Sequence, residues 1–468
     1  MRHTLPLRAA PLAALLLLSA CAVGPRYEAP ATPPAEFRKA DPAAFTSGQA
    51  EAAWWRQFGD PVLDDLMDRA LAGNLDLRIA EARVREARAI LRDTRLDQLP
   101  RVTAAAAYRE GRTPQPGGPP LTGETFETGF DAAWEIDLFG RVRRGVEAAS
   151  ADAGAARAEL RAAQVTVAAE VARTYLELRG AQDRLQVARR NLDTQRETLR
   201  LTRARFDVGS GDAVDVARAQ GELSGTEATI PALTIQAQAA AHRLAVLVGE
   251  RPGSLDAVLE PVREVAPRVQ ALAIGDASEL LRRRPDVQAA ERRLAAQTAR
   301  VGVTTADLFP RVRVGGFLGF LAGDFDSLGD GASRAWSVAP TITWPALDFA
   351  GARARLRAQE ARGDAALAEY ERSVLVALED VENAFVGYAQ QQARLRSLVD
   401  REAAARRAAE LARVRYREGA VDFLTLLDAE RSLLAAEDQA SAARTELNTW
   451  VVAVYKALGG GWEAAPVA

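Results

Sequence analysis

Residues Arg205–Gln220 read "RFDVGSGDAVDVARAQ", and Arg415–Glu430 read "RYREGAVDFLTLLDAE". Each stretch joins one long charged helical pattern to another. Gly209 and Gly419 hold the same place in them, as do Asp212 and Asp422. Superposing the two turns sets a register for the rest of the chain, in which every partner lies 210 positions further on. Asp76, Ala80, Glu81 and Arg83 then fall on Asp286, Ala290, Glu291 and Arg293. Pro100, Arg101 and Val102 fall on Pro310, Arg311 and Val312, and Trp134, Phe139 and Arg143 on Trp344, Phe349 and Arg353. One offset held from Asp76 through Ala219 and its partner Ala429 means a duplicated unit without net insertion. The unit is far longer than a solenoid repeat, so this is a two-fold duplication and not an array.

Each unit has the same order of patterns. A helix over Leu75–Asp97 is stopped by "LPRV", because proline disfavours helix in the residue before it. Two strand-like segments follow around a Gly/Pro-rich loop. In "FETGFDAAWEID", Phe126, Thr128, Phe130, Ala132, Trp134 and Ile136 alternate with Glu127, Asp131, Glu135 and Asp137. "WSVAPTITW" repeats the alternation, Trp336, Val338, Pro340, Ile342 and Trp344 against Ser337, Ala339, Thr341 and Thr343. A period of two with one apolar face suits a strand between two different media. Segments about ten residues long with aromatics near their ends fit membrane-barrel strands, and the pattern alone also fits an amphipathic hairpin in a water-soluble sheet.

The helical patterns after the strands exceed what a globular core needs. Phe139–Phe206 contains no proline, and Val171, Leu178, Leu185, Leu192, Leu199 and Phe206 recur every seven residues as a coiled-coil-like seam. Ala346–Tyr416 is likewise free of proline. At about 1.5 Å per residue, such helices span on the order of 100 Å, the scale of a periplasm, and their charged surfaces imply water around them. Two hairpins supply four strands, whereas a closed membrane barrel needs about eight. Open strand edges are not tolerated in lipid, so membranous strands here require several chains to share one barrel. The duplication then places both hairpins at one end of the helices and both helix turns at the other.

The N-terminus reads as a secretory signal over residues 1–20: Arg2 and Arg8, then the short apolar run "PLAALLLLSA". "LLSAC" resembles a bacterial lipobox, which makes Cys21, the only cysteine, a lipidation candidate; an ordinary signal whose cleavage site carries a cysteine is the alternative. Ala22 stands where an aspartate would, by resemblance to the bacterial sorting rule, favour inner-membrane retention, so an outer-membrane address is expected. The mature chain then has no cysteine and no disulfide framework. Sixty basic and 63 acidic residues leave a net charge of −3, which offers no basic field for nucleic acid. Two histidines, one of them His3 in the signal, leave no histidine-built catalytic or metal centre to expect. We therefore expect no enzyme, no cofactor and no metal site. The expected divisions are 21–73 as a Pro-rich lipidated tether and equatorial segment, 74–250 as the first repeat, 251–275 as a linker, 276–456 as the second repeat and 457–468 as a tail. "GGG" at Gly459–Gly461 reads as flexible tail, since no strand or Lys-Ser/Thr pair gives it a phosphate-cradle context.

"CAVGPRYEAP", "WWRQFGDPVLDDL", "ALAGNLDLRIAEARVREARA", "EIDLFGRVR", "LLRRRPDVQAAERRLAA" and "VRYREGAVDFLTLLDAERSL" resemble, in order and over nearly the whole mature chain, the outer-membrane efflux proteins of the TolC superfamily, in their NodT/OprM lipoprotein branch. The resemblance implies a mostly α fold with a small β part: a homotrimer with an α-helical barrel in the periplasm and a shared twelve-stranded β-barrel, four strands per chain, in outer-membrane lipid. It implies passive export of small molecules together with a periplasmic adaptor (membrane fusion protein) and an inner-membrane pump of the RND type. A non-conducting, lipid-anchored coiled-coil spacer is the competing function. By the same resemblance the two turns form the periplasmic entrance. Leu424 is then a candidate constriction and Asp428 a candidate acidic ring, with Arg415 and Arg431 as network partners and Asp215 as an acidic contact of the first turn. Gly209 and Gly419 mark adaptor-docking turns. Thr425 stands where some relatives carry a second acidic ring, so a double-ring cation gate is not expected. Asp212 and Asp422 read first as helix N-caps.

Overall fold

The computed structural model describes residues 22–31, 37–48 and 51–464. Helices α1 (Pro61–Gly73) and α2 (Leu75–Leu96) lead into strands β1 (Arg101–Thr113) and β2 (Leu121–Ile136), and then α3 (Arg141–Asp207) and α4 (Ala213–Leu247). The order returns as α5 (Ala277–Arg283), α6 (Pro285–Ala306), β3 (Arg311–Ala322), β4 (Arg334–Thr343), α7 (Phe349–Arg417) and α8 (Phe423–Ala457). α2 and α6, and likewise α4 and α8, match residue for residue at the sequence offset. The hairpin connections do not: β2 has 16 residues and β4 has 10. Cys21 and the signal lie outside the described residues.

The chain forms two compact units. The first gathers 82–157 and 288–372 with residues 22–31, and holds all four long strands. They pair antiparallel in the order β1-β2-β3-β4. Ala104, Phe130, Leu318 and Trp336 form one row across the sheet, and Thr103, Asp131, Phe317 and Ser337 form a row on the other face. The first face carries exposed Val102, Tyr108, Phe130, Leu318, Val338 and Ile342, with Trp336 at 77% exposure. The second face carries most of the charges, the first only Glu110, Arg112, Glu124 and Arg334 near the loop ends of the strands: Arg109 pairs with Glu127 at 3.2 Å, and Glu135 accepts from Arg141 Nε at 2.6 Å with Arg313 Nε at 3.5 Å. The period-two reading is therefore correct to the residue. Where the sheet meets the helices the repeat recurs in detail, since the Trp134 indole donates to Gln98 O at 3.1 Å and the Trp344 indole to Leu308 O at 3.0 Å. α3 starts at Arg141, two residues later than its proline-free run, because Asp137 accepts the Val142 and Arg143 amides at 3.1 and 2.9 Å and so anchors the first turn.

The second unit gathers 37–81, 158–287 and 373–464 among the described residues. Its core holds Trp54, Trp55, Leu63, Leu66, Met67, Tyr175, Phe385, Tyr388 and Val451, all essentially inaccessible. Trp54 stacks on Tyr455, ring centres 5.5 Å apart and planes 3° from parallel. The expected flexible tail is corrected here. Gly459, Gly460 and Gly461 are buried; Gly459 packs on Arg284 and Pro285, and a Cβ on Gly461 would lie 3.2 Å from Trp54 Nε1, so Gly460 and Gly461 let the chain close over the tryptophan pair. The heptad seam of α3 is buried at Val171, Leu178, Leu192 and Leu199, but its last member, Phe206, is 45% exposed. Among the described residues no helix is long and apolar enough to cross a membrane.

Candidate functional site at the paired helix turns

Both helix reversals lie in the second unit. At the first, Gly209 has φ 75°, its amide donates to Phe206 O at 2.9 Å, and Ser210 N donates to Arg205 O at 2.9 Å. At the second, Gly419 has φ 77°, its amide donates to Tyr416 O at 3.0 Å, and Ala420 N donates to Arg415 O at 2.8 Å. The bond spanning five residues closes a helix C-terminus only if one residue turns left-handed, which glycine does without steric cost. A Cβ on either glycine would meet nothing within 4 Å, so backbone conformation and not crowding decides the residue. Asp212 Oδ1 accepts from Val214 N at 2.8 Å and so caps α4. Asp422 Oδ1 accepts from Thr425 N at 2.9 Å and Thr425 Oγ1 at 2.6 Å, which caps α8 and holds the Asp422 carboxyl below the usual range.

Beneath the turns Leu192, Leu199, Ala219, Leu223, Ala412, Tyr416, Phe423, Leu426 and Leu427 form a buried cluster drawn from α3, α4, α7 and α8. Polar clasps surround it. The Arg205 guanidinium lies 4.2 Å from the Tyr416 ring centre, and its Nη2 donates to Tyr416 O at 2.5 Å. Thr202 Oγ1 and the Tyr416 hydroxyl are 3.4 Å apart. Glu430, only 6% exposed, accepts from Arg413 Nε at 2.8 Å and from Thr198 Oγ1 at 3.1 Å. Those two donors offset the desolvation that an unpaired buried carboxylate would suffer.

Around this frame the residues named from sequence take distinct positions. Leu424, 52% exposed, and the exposed Asp428 stand one helical turn apart on the same face of α8. Arg431 is paired with Glu222 of α4, and the Asp428 charge adds to the stabilisation of its protonated form. Arg415 is exposed at the end of α7. Asp215 lies 3.7 Å from Arg218. Burial and then the charge of Asp212 push the Asp215 carboxyl upward; Arg218 opposes that and Asp422 adds to it. Sequence reasoning assigned no role to Arg205, Tyr416, Thr198, Arg413, Glu430 or Glu222, although the repeat offset already matched Arg205 to Arg415.

The raised Asp215 pKa has a definite sign. Its ionised form is less favourable in the fold than in the unfolded chain, so it lowers stability above its folded pKa, and the loss fades as pH falls. Asp215→Asn is therefore expected to raise Tm near pH 7 by no more than about 2 °C, a surface-sized effect of about 0.5 kcal/mol. Most of the gain should be gone by about pH 3, below the ordinary aspartate value of about 3.9. Thermal unfolding of both proteins at the two pH values checks this; a gain independent of pH would show that charge is not its cause.

The sequence profile of the family described as "Outer membrane efflux protein" matches residues 66–250 and 277–460, one match for each repeat. Outer membrane protein OprJ of Pseudomonas aeruginosa is 34% identical over 459 residues, covering 96% of this chain and 94% of that protein. Nodulation protein T of Rhizobium leguminosarum bv. trifolii is 31% identical and covers 97% of both. The solved structure of the outer-membrane channel OprN superposes with a TM-score of 0.92 at 49% identity, covering 95% of this chain and all of that one. Two matched repeats, full-length relatives and a shared fold lead to one conclusion: this chain belongs to the outer membrane efflux protein family, in its NodT/OprM-like branch.

Proposed function

We propose that three copies of this chain close one barrel in the outer membrane and act as the passive exit duct of an efflux system. The observation that carries this reading is the four-stranded sheet. It has one exposed, mostly apolar face and one charged face, and among the described residues of one chain β1 and β4 each lack a neighbour on one side. An open edge is intolerable in hydrocarbon, and four strands are too few to close; three copies supply twelve. The apolar face meets lipid and the charged face lines a polar lumen. α3 leaves β2 after four residues and runs 67 residues to the first turn, so each turn lies the length of a long helix from the sheet along the chain. The turns then face the periplasm, where a membrane fusion protein docks at Gly209 and Gly419 and an RND-type pump delivers substrate. Leu424 and Asp428 narrow the entrance, Arg431 and Arg415 supply the nearby positive charge, and Asp215 adds an acidic contact at the first turn. Cys21 carries the lipid anchor. The duct performs no catalysis, because its task is to hold a path open or shut.

The purified, detergent-extracted protein tests this directly. A three-chain species that changes mobility only on boiling, and that gives discrete conductance steps in a planar bilayer, is the expected result. Stable single chains with a silent bilayer would leave a lipid-anchored coiled-coil spacer as the function.

A further inference from the structure

Where the sheet of the first unit gives way to helices, one cavity is walled by arginines. Its volume is about 700 Å³, and Arg26, Arg95, Arg143, Arg144 and Arg292 line it beside a single carboxylate, Glu147. Every wall belongs to the first unit. Chain connectivity gives its level: β2 ends at Ile136 and α3 starts at Arg141, so Arg143 and Arg144 stand in the first turn of the helix that leaves the sheet. Arg95 lies in the last turn of α2, the helix that leads into β1. Ala22 lines the cavity too, and a Cβ on Gly140 would lie 2.7 Å from the Ala22 Cβ. Val23 N donates to Phe139 O at 3.1 Å, so the first described residues are pinned at this junction.

The five guanidiniums are not equally engaged. Arg143 Nε donates to Asp137 Oδ2 at 3.1 Å. Arg292 Nη2 donates to Glu291 Oε1 at 2.6 Å, where the Tyr27 hydroxyl also donates, at 2.8 Å. Carboxylates outside the cavity thus balance these two. Arg144, 4% exposed, donates to Glu147 at 2.7 Å and to Gly24 O at 3.4 Å, while its buried Nε has no hydrogen-bond partner among the described residues. Close packing fixes it: a Cβ on Gly24 would lie 2.6 Å from Gly302 Cα, and a Cβ on Gly302 would meet Arg144 Cγ and Cδ at 3.0 Å. Arg144 is therefore a fixed charge in the wall, and low-dielectric surroundings strengthen its field. Arg26 and Arg95 are exposed, and among the described residues neither has an ion pair. Set against Glu147, Asp137 and Glu291, the five arginines leave an excess of two positive charges.

We infer that this cavity binds the phosphate of an anionic phospholipid headgroup, such as that of phosphatidylglycerol, from the leaflet that meets the helices. Guanidinium forks donate in pairs to phosphate oxygens, and the two exposed arginines are the ones free to do so. This inference rests on the membranous reading of the sheet. On that reading the hydrocarbon ends where the apolar face of the strands ends, and the cavity lies just beyond, at headgroup level. Trp134 and Trp344, whose indoles donate to carbonyls at the same junction, stand where tryptophans mark a membrane interface. A free phosphate has the same chemistry, but the position favours the lipid. Ala22 follows the residue proposed to carry the acyl chains, so the bilayer lies against the cavity. A headgroup held by Arg26 and Arg95 ties the N-terminal segment to α2 and adds an electrostatic hold to the anchor.

Native mass spectra of the full-length, detergent-extracted protein test this, with phosphatidylglycerol or phosphatidylcholine of equal chain length as the added lipid. Wild type is expected to retain phosphatidylglycerol, up to one per chain, about thirtyfold more tightly than phosphatidylcholine, the combined worth of two arginines at an anionic surface. Arg26→Gln with Arg95→Gln is expected to lose most of that preference, and Arg26→Lys with Arg95→Lys to keep part of it. Arg401→Gln with Arg407→Gln, both exposed on α7, is the control expected to keep it all. Equal retention of the two lipids by wild type, or a preference that survives the first double variant, would overturn the site. Glycerol phosphate displacing the lipid at equal concentration would overturn its assignment to lipid and make it a site for free phosphate. The same spectra count the chains, and planar-bilayer recordings report conduction. Three chains with discrete steps but no lipid preference would overturn the headgroup site and leave the duct standing; single chains with a silent bilayer would overturn both.

Discussion

Leu424→Ala is expected to enlarge the single-channel conductance of the purified protein well beyond wild type, and the double variant with Asp428→Ala to enlarge it further. The argument starts from the exposure of Leu424. An apolar side chain, 52% exposed in the first turn of α8 and one turn from Asp428, gains nothing by facing water within a single chain. In the ring of three proposed above, three such side chains would meet at the axis and exclude water and ions. Substitution acts on all three chains at once. Even a loss of about 1 kcal/mol per chain, below the about 2–5 kcal/mol of a fully buried leucine truncation, sums to about 3 kcal/mol. That shifts the ratio of shut to open entrances by more than about a hundredfold, since each factor of ten takes about 1.4 kcal/mol. Asp428→Ala alone acts in the same direction and more weakly. Its carboxylate helps stabilise the Arg431 charge, which Glu222 otherwise balances, so in the proposed ring its removal would leave three arginines less fully compensated. Planar-bilayer recordings of the four proteins check this. Unchanged steps in every variant, from trimers of normal mobility, would move the constriction away from this turn.

Gly319→Ala is expected to abolish trimers that resist detergent while leaving the helical far-UV signal near wild type. Gly319 pairs directly with Gly129 across β3 and β2, and the Phe317 ring leans over both. A Cβ on Gly319 would collide with Thr128 O and lie 2.6 Å from Gly129 Cα and 2.9 Å from Phe317 Cζ. The first two are backbone atoms in the middle of the sheet and cannot rotate aside, so the strands must separate or the ring must leave. The cost exceeds the about 1–3 kcal/mol of ordinary overpacking, and it falls on a sheet that must also join its neighbours at both edges. Gly315→Ala, whose Cβ would meet only Ala339 O at 3.7 Å, is the control expected to assemble normally. Equal trimer yields for both variants would show that the glycine pair does not control sheet assembly.

The elements themselves were legible in the sequence, because helix and strand leave local periods and the turns demand a local conformation. The alternation from Phe126 to Ile136 identified the apolar face of β2. The glycines at 209 and 419 and the aspartates at 212 and 422 mark both turns, where left-handed φ values and capping bonds stand. The single offset also determined that the chain is built twice over, and with four strands per chain it required a multi-chain barrel if those strands are membranous. Which surfaces meet was another matter. Burial of Gly460 and Gly461 against Trp54, the support of Glu430 by Thr198, the hold of Arg205 on Tyr416 and the exposure of Phe206 at the end of a regular seam were decided only by the tertiary structure. A period records which side of an element is apolar, since that depends on residues three, four or two positions away. It does not record which distant helix covers that side, because that depends on packing among residues more than two hundred positions apart.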